Sequence, residues 1–464
     1  MNPDVFNAVG EFVSSTYLKQ CQASRNNQSR CFNQLITQRR IPDEGWDPNY
    51  IEMFIREVSI WDSNNFNSRC AVGEREGRCL SDIVSRRHWG LIHGIGRSGD
   101  VNAEQPKAAG SSFLLSLTRA LVYDAIKTIF GIPNVPRDVV VLPIATGMSI
   151  MMGMIAVSQM HSDPNRKNVI WSRIDQKSCI KAMTSDPNLT VHVVEQIPDG
   201  EGLITDVDGI LSLIHSLGGP KSIHSIVLTT STFAPRSPDN VPAVSKICKD
   251  LDIPLIVNNA YGLQCSKCCH LISDSLRNGR VDLVVQSTDK NFLVPVGGSI
   301  LFGTLAEKVN KIYPGRASLS PILDILITLL EVGKDRFKSL LVERRENFKY
   351  LKAQLETILP GKVLGNPRNQ ISLAVTLPGA TEQLGSELFL RNVSGARIYV
   401  RNDDSIKRMD KNISPFKNFG CHTSVPIVPV YLNAACAIAT TKTEIDLFIS
   451  RLNERLSKLG KQVS

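Results

Sequence analysis

Pro254-Leu-Ile-Val-Asn-Asn-Ala-Tyr-Gly262 opens the stretch whose reading decides the fold, an apolar run that breaks into polar residues. Val281-Asp-Leu-Val-Val-Gln-Ser-Thr-Asp-Lys-Asn291 repeats that design and ends on a lysine. Gly297-Gly-Ser-Ile-Leu-Phe302 reads as a third strand. Short β-branched runs bounded by turn residues suit strands buried on both faces. Open α/β sheets bind ligands outside the carboxyl ends of such strands. Asn258 and Lys290 are therefore the first candidate site residues.

The same pattern extends to either side. Val139-Val-Val-Leu, Asn168-Val-Ile-Trp, Val191-His-Val-Val and Ser225-Ile-Val-Leu are further strand candidates, separated by helical sequence. About seven strands with intervening helices predict one large doubly wound domain over residues 66–320. Phe6, Val9, Phe12, Val13 and Tyr17 recur at spacings of three and four, which predicts a helical N-terminal extension over 1–65. More apolar helix stands there than a tail needs, so an oligomer contact is expected. A long helix from Pro321, then Ile371-Ser-Leu-Ala-Val-Thr-Leu, Ala396-Arg-Ile-Tyr-Val and Val430-Tyr-Leu, predict a small α+β domain over 321–464.

Composition excludes little. Of 464 residues, 42% are hydrophobic and 21% charged, as in ordinary globular proteins, and the length calls for more than one core. The formal charge of +9 permits a polyanionic partner without demanding one. The first residues lack the basic and apolar regions of a signal peptide. Val139 to Ser158 carries no charge, but Pro143 and Gly147 break it where a strand should hand over to a helix, so no membrane span is expected. Eleven scattered cysteines fit reduced thiols and a cytoplasmic protein. Cys265, Cys268 and Cys269 resemble half a zinc site, yet no second ligand pair stands at matching spacing, and no metal is expected.

Four polar clusters carry chemistry. Gly94, Gly96 and Gly99 fit the dinucleotide fingerprint, but the preceding segment is a poor strand. Their backbone N–H groups, with Arg97, Ser98 and Lys107, instead suit a phosphate loop over 94–107; a flexible glycine loop is the plain alternative. Thr146 and Gly147 stand where a strand meets a helix, whose N-terminus presents unpaired N–H groups to a phosphate or to a simple cap. Gln176 follows another strand, as a ring-covering group or a turn residue. A lysine just past a strand, downstream of a polar strand end, is also how pyridoxal 5'-phosphate enzymes of the aspartate-aminotransferase fold are built. On that reading Lys290 is the Schiff-base lysine and Asn258 faces the pyridine nitrogen. Most such enzymes have Asp there; Asn stabilises ring charge less, which favours β-elimination over transamination.

Gly73-Glu-Arg-Glu-Gly-Arg78, His93-Gly-Ile-Gly-Arg-Ser-Gly-Asp100, Gln105-Pro-Lys-Ala-Ala-Gly-Ser-Ser112, Arg173-Ile-Asp-Gln-Lys-Ser-Cys179, Asp289-Lys-Asn-Phe-Leu-Val-Pro-Val-Gly-Gly298 and Tyr313-Pro-Gly-Arg-Ala-Ser318 together resemble the O-phosphoseryl-tRNA(Sec):selenocysteinyl-tRNA(Sec) synthase family. The resemblance implies an α/β, fold-type-I, pyridoxal-phosphate-dependent homotetramer. It also implies conversion of O-phosphoseryl-tRNA(Sec) to selenocysteinyl-tRNA(Sec) with selenophosphate. Residue by residue, it implies that Lys290 and Arg75 hold the cofactor and that Arg97, Ser98, Gln105 and Arg316 grip the substrate phosphate. Glu74 would repel free amino acids through their carboxylate. Arg277, Arg397 and the basic C-terminal end, Lys458 included, would touch tRNA. The rivals are another fold-type-I lyase or desulfurase, and a non-catalytic tRNA-binding relative.

Overall fold

The computed structural model describes residues 8–161, 163–358, 361–401, 406–407, 412–426 and 430–462. Its centre is a seven-stranded sheet. In chain order its strands are β1 (Val140–Leu142), β2 (Asn168–Ser172), β3 (Thr190–Val194), β6 (Ile223–Thr229), β7 (Leu255–Asn258), β8 (Leu283–Ser287) and β9 (Ser299–Phe302). A short hairpin, β4 (Gln196–Asp199) with β5 (Gly202–Thr205), stands outside it. The spatial order is β1-β9-β8-β7-β6-β2-β3. β9 runs antiparallel to both neighbours, and every other pairing is parallel.

These strands form where the sequence is apolar without alternation, because helices cover both faces. Every residue of β6, β7, β8 and β9 is buried. Register does the rest: Thr229 pairs with Asn258, and Asn258 with Val285, so the polar ends of three strands finish side by side. The helix Thr146–Ser158 lies close against this sheet at Gly153, where a Cβ would come within 2.5 Å of Leu283. The uncharged run from 139 to 158 is therefore strand, turn and helix. Among the described residues no helix is long and apolar enough to cross a membrane.

Two cores differ from the expected domain boundaries. The helix Pro48–Ser59 is capped by Asp47, whose carboxylate accepts from Asn49 N–H at 2.8 Å, and buries Ile51, Phe54, Ile55 and Val58 in the large core. Residues up to 65 are thus partly built into the large domain. Phe6 lies outside the described residues, while Phe12 and Tyr17 remain exposed on this chain. The helix Ser320–Glu356 crosses the 320/321 boundary: Ile322 to Leu340 pack in the large core, Leu351 and Leu355 in the second. It kinks at Gly333, whose φ of 69° an L side chain disfavours. The second core lies under an antiparallel sheet of β10 (Ser372–Thr376), β14 (Val430–Ala435) and β11 (Arg397–Val400), with the helix Lys442–Gln462. Residues 406–407 and 416–417 pair as β12 and β13.

Candidate active site

A cavity of about 540 Å³ opens where the carboxyl ends of the central strands meet the small domain. Thr146, Gly147, Gln176, Asn258 and Lys290 all line it. They come from four separate stretches of the chain, and the strand order of the sheet brings them together.

Lys290 sits on one turn of helix, Thr288–Phe292, directly after β8. Its amine is 3.1 Å from Ser287 Oγ and 3.2 Å from Asp289 Oδ2, and its side chain is 45% exposed toward the cavity. Ser287 also donates to Asp289. Gln264 donates to the Lys290 carbonyl at 3.3 Å, anchoring the turn that carries the amine. Asp289 and Gln264 were not singled out in the sequence, although Asp289 is the lysine's immediate neighbour.

The helix Thr146–Ser158 points its N-terminus at the cavity. Its N-cap is Ala145, which supplies no side-chain acceptor. Thr146 Oγ1 is buried without a hydrogen-bond partner among the described residues. Unfilled N–H groups and an unpartnered buried hydroxyl are what an anion would satisfy. Asn258 is 5% exposed; its Oδ1 accepts from Ala260 N–H at 3.1 Å and its Nδ2 lies 3.1 Å from Cys179 Sγ. The Tyr261 hydroxyl, also at the cavity, is buried and unpartnered among the described residues. Burial raises its pKa well above the usual phenol value. A phosphate at the helix end, a ring between Gln176 and Asn258, and an amine at Lys290 match the functional groups of pyridoxal phosphate. The residues present fit that group.

Arg397, expected at tRNA, also lines this cavity, its guanidinium 4.4 Å from the Phe233 ring centre. Phe233 in turn stacks on His422, at 6.4 Å and 19° between planes. Burial holds His422 near a pKa of about 3, so the imidazole is neutral and its Nδ1 accepts from Asp175 N–H at 3.0 Å. Phe233, Tyr261, Cys179 and His422 carried no signal of their own in the sequence, since only the fold brings them to one place.

The phosphate-loop residues gather elsewhere. None of Glu74, Arg75, Arg97, Ser98, Gln105, Lys107 and Arg316 lines the Lys290 cavity of its own chain. Gly94, Gly96 and Gly99 all adopt positive φ, and Ile95 pairs with Ala317, which brings Arg316 to the loop. Arg316 donates to the His93 carbonyl at 3.2 Å, and Gln105 to the Gly96 carbonyl at 3.1 Å. Lys107 pairs with Glu76. Glu74, Arg75, Arg97, Ser98 and Arg316 are exposed. Arg277 is exposed and paired with Asp274 at 3.1 Å, and Lys458 with Glu454 at 2.9 Å. Cys265, Cys268 and Cys269 are buried around the start of the helix Ser266–Asn278, the first two packed with Ile371 and Tyr261 and Cys269 in the large core. No cluster of three metal-ligating side chains forms among the described residues.

Residues 61–457 match the family model described as O-phosphoseryl-tRNA(Sec) selenium transferase, SepSecS. An O-phosphoseryl-tRNA(Sec) selenium transferase of Dictyostelium discoideum is 40% identical over 96% of this chain and 97% of that protein. One from Caenorhabditis elegans is 38% identical over 94% and 91%. The crystal structure of an archaeal O-phosphoseryl-tRNA(Sec) selenium transferase superposes with a TM-score of 0.84 at 27% identity, covering 95% of this chain and 98% of that one. A tryptophan decarboxylase of Catharanthus roseus shares the fold alone, with a TM-score of 0.57 at 13% identity over 96% and 99%.

Proposed function

The chain belongs to the O-phosphoseryl-tRNA(Sec) selenium transferase family, and from that premise we infer that it converts O-phosphoseryl-tRNA(Sec) to selenocysteinyl-tRNA(Sec). The observation that carries the reading is the family match over residues 61–457 combined with Lys290 and the N-terminus of the helix Thr146–Ser158 lining one cavity. The desulfurase and non-catalytic alternatives lose on the same ground.

Pyridoxal phosphate, held at Thr146, Gly147, Gln176 and Asn258, would supply the electron sink for removal of the substrate α-proton. The chain's own residues do the rest. Lys290 is the base that takes the α-proton; Ser287 and Asp289 hold its amine in position. The β-phosphate leaves with the electron pair of its C–O bond, its charge met by Arg97, Lys107 and Arg316, with Ser98 and Gln105 shaping the loop. The selenium of selenophosphate then bonds to the β-carbon, water breaks the P–Se bond and carries the phosphoryl group away as phosphate, and the proton returns to the α-carbon.

None of the loop's residues lines the cavity of its own chain, which supports a loop supplied by another copy of the chain. Val72, Leu80 and Ile83, exposed apolar residues on the segment leading to it, support burial against a neighbour in a homotetramer. Arg75 would complete the cofactor site from the same neighbour, and Glu74 would turn away free amino acids by repelling their carboxylate. Arg397, Arg277 and Lys458 would meet the acceptor end and body of tRNA(Sec), in the cytoplasm where aminoacylated tRNAs are used. The test is substrate discrimination. Phosphate release from O-phosphoseryl-tRNA(Sec) but not from free phosphoserine is expected, and Glu74→Gln should relax it. Equal turnover of both by the natural chain would refute the tRNA reading.

A further inference from the structure

We propose that Cys179 fixes the Asn258 amide so that it meets the cofactor's ring nitrogen as a hydrogen-bond donor, leaving that nitrogen unprotonated. The inference rests on the cofactor reading above and goes further, to the protonation state that Asn258 selects. An asparagine's oxygen and nitrogen are often interchangeable in a structure. Here they are not. The Ala260 N–H, 3.1 Å away, can only donate, so the atom facing it is the oxygen. The amide nitrogen then lies toward Cys179 Sγ at 3.1 Å and gives one of its two hydrogens to the sulfur. The second hydrogen is the donor left over on a side chain that lines the cavity.

Cys179 suits this role. It is 4% exposed at the start of the helix Lys177–Thr184, and burial pushes its thiol up to about 11, so the sulfur stays a neutral acceptor. The wider cavity agrees. Among the residues lining it, Asp289 is the one carboxylate, and it faces Ser287 and Lys290. A ring nitrogen beside Asn258 therefore has no anion to keep a proton on it. An unprotonated ring is a weaker electron sink, sufficient when the β-substituent is phosphate, a ready leaving group. It is a poor sink for reactions that need a long-lived carbanion. Cys179 is thus a positioning residue that narrows the reaction type through Asn258.

The test binds ring-15N-labelled pyridoxal phosphate to the full-length protein and reads the nitrogen chemical shift by solid-state NMR. The natural chain should give the shift of an unprotonated pyridine, and Asn258→Asp the shift of a pyridinium. Cys179→Ala should retain cofactor about five- to tenfold less tightly on dialysis, and Cys179→Ser, which keeps an acceptor, should restore it to within about twofold. A pyridinium shift in the natural chain, or undiminished retention in Cys179→Ala, overturns the proposal while sparing the cofactor reading. Failure of the natural chain to bind the cofactor overturns both. Should Asn258→Asp not fold, the spectrum of the natural chain decides alone.

Discussion

Replacing Asp175 by Ala should destabilise the protein by several kcal/mol and loosen the substrate side of the cavity. Asp175 and Arg173 are both fully buried just beyond β2, with Arg173 Nε donating to Asp175 Oδ1 at 2.8 Å and Nη2 to Oδ2 at 3.0 Å. The same carboxylate accepts from the backbone N–H groups of Gly420 and His422 at 2.7 and 2.8 Å. It therefore ties the loop leading from β13 to the end of the β2 strand, next to Gln176. Burial alone would raise the Asp175 pKa, but Arg173 and His422 outweigh it and hold the carboxyl below its usual range. Removing one partner of a buried ion pair costs about 3–5 kcal/mol, and each N–H left unpaired adds about 1–3. Arg173 keeps Glu195 at 2.9 Å and two backbone carbonyls, which holds each contribution near its lower end and the expected loss, with both N–H groups counted, at about 5 kcal/mol. Urea denaturation at fixed protein concentration measures it. A loss under about 1 kcal/mol would refute the reasoning.

Three further outcomes follow from the same structure. Phe233→Leu removes the ring under Arg397, a contact worth about 0.5–2 kcal/mol. The KM for the tRNA substrate should rise about 2- to 30-fold, with cofactor absorbance unchanged; a lost cofactor band would mean the ring serves the cofactor instead. Burial holds His224 at about 4 and His422 at about 3, below the ordinary 6.5. As pH falls through 6.5 the unfolded chain takes up these protons first. Stability present above that value is lost toward the folded pKa, by about 1.4 kcal/mol per pH unit per histidine. Denaturation midpoints at pH 7 and 5 measure it, and His224→Gln should flatten the slope. Gly153→Ala would press a methyl against Leu283, costing about 1–3 kcal/mol and weakening phosphate retention at Thr146; unchanged cofactor binding and stability would contradict the close packing.

The large sheet was legible because its strands are buried on both faces, and burial on both faces writes itself as uninterrupted Val, Ile and Leu. Lys290, Asn258, Thr146 and Gln176 were legible for a related reason: polar residues directly after such strands end at one edge of the sheet. The rest depends on contacts between distant segments. Arg397 comes from the small domain, Phe233 from the loop after β6 and His422 from the loop beyond β13, and their stacking has no local pattern. The helix Pro48–Ser59 carries a clear apolar stripe, but the stripe does not say whether it faces its own core or a neighbour's; Ile55 and Phe54 face their own. The β4–β5 hairpin, four residues a strand around Asp199 and Gly202, is too short and polar to announce itself. The residues read as a phosphate loop do not line the Lys290 cavity of their own chain, and no local pattern in the sequence tells of that separation.

On the proposed function, Lys290 performs proton transfer on an ester-linked phosphoseryl group. The direct measurement is phosphate released from O-phosphoseryl-tRNA(Sec) by the natural chain and by Lys290→Ala, each at matched cofactor content. Release by the natural chain is expected, with a fall on the order of 10³-fold or more in the variant. Release at an undiminished rate from Lys290→Ala would contradict it.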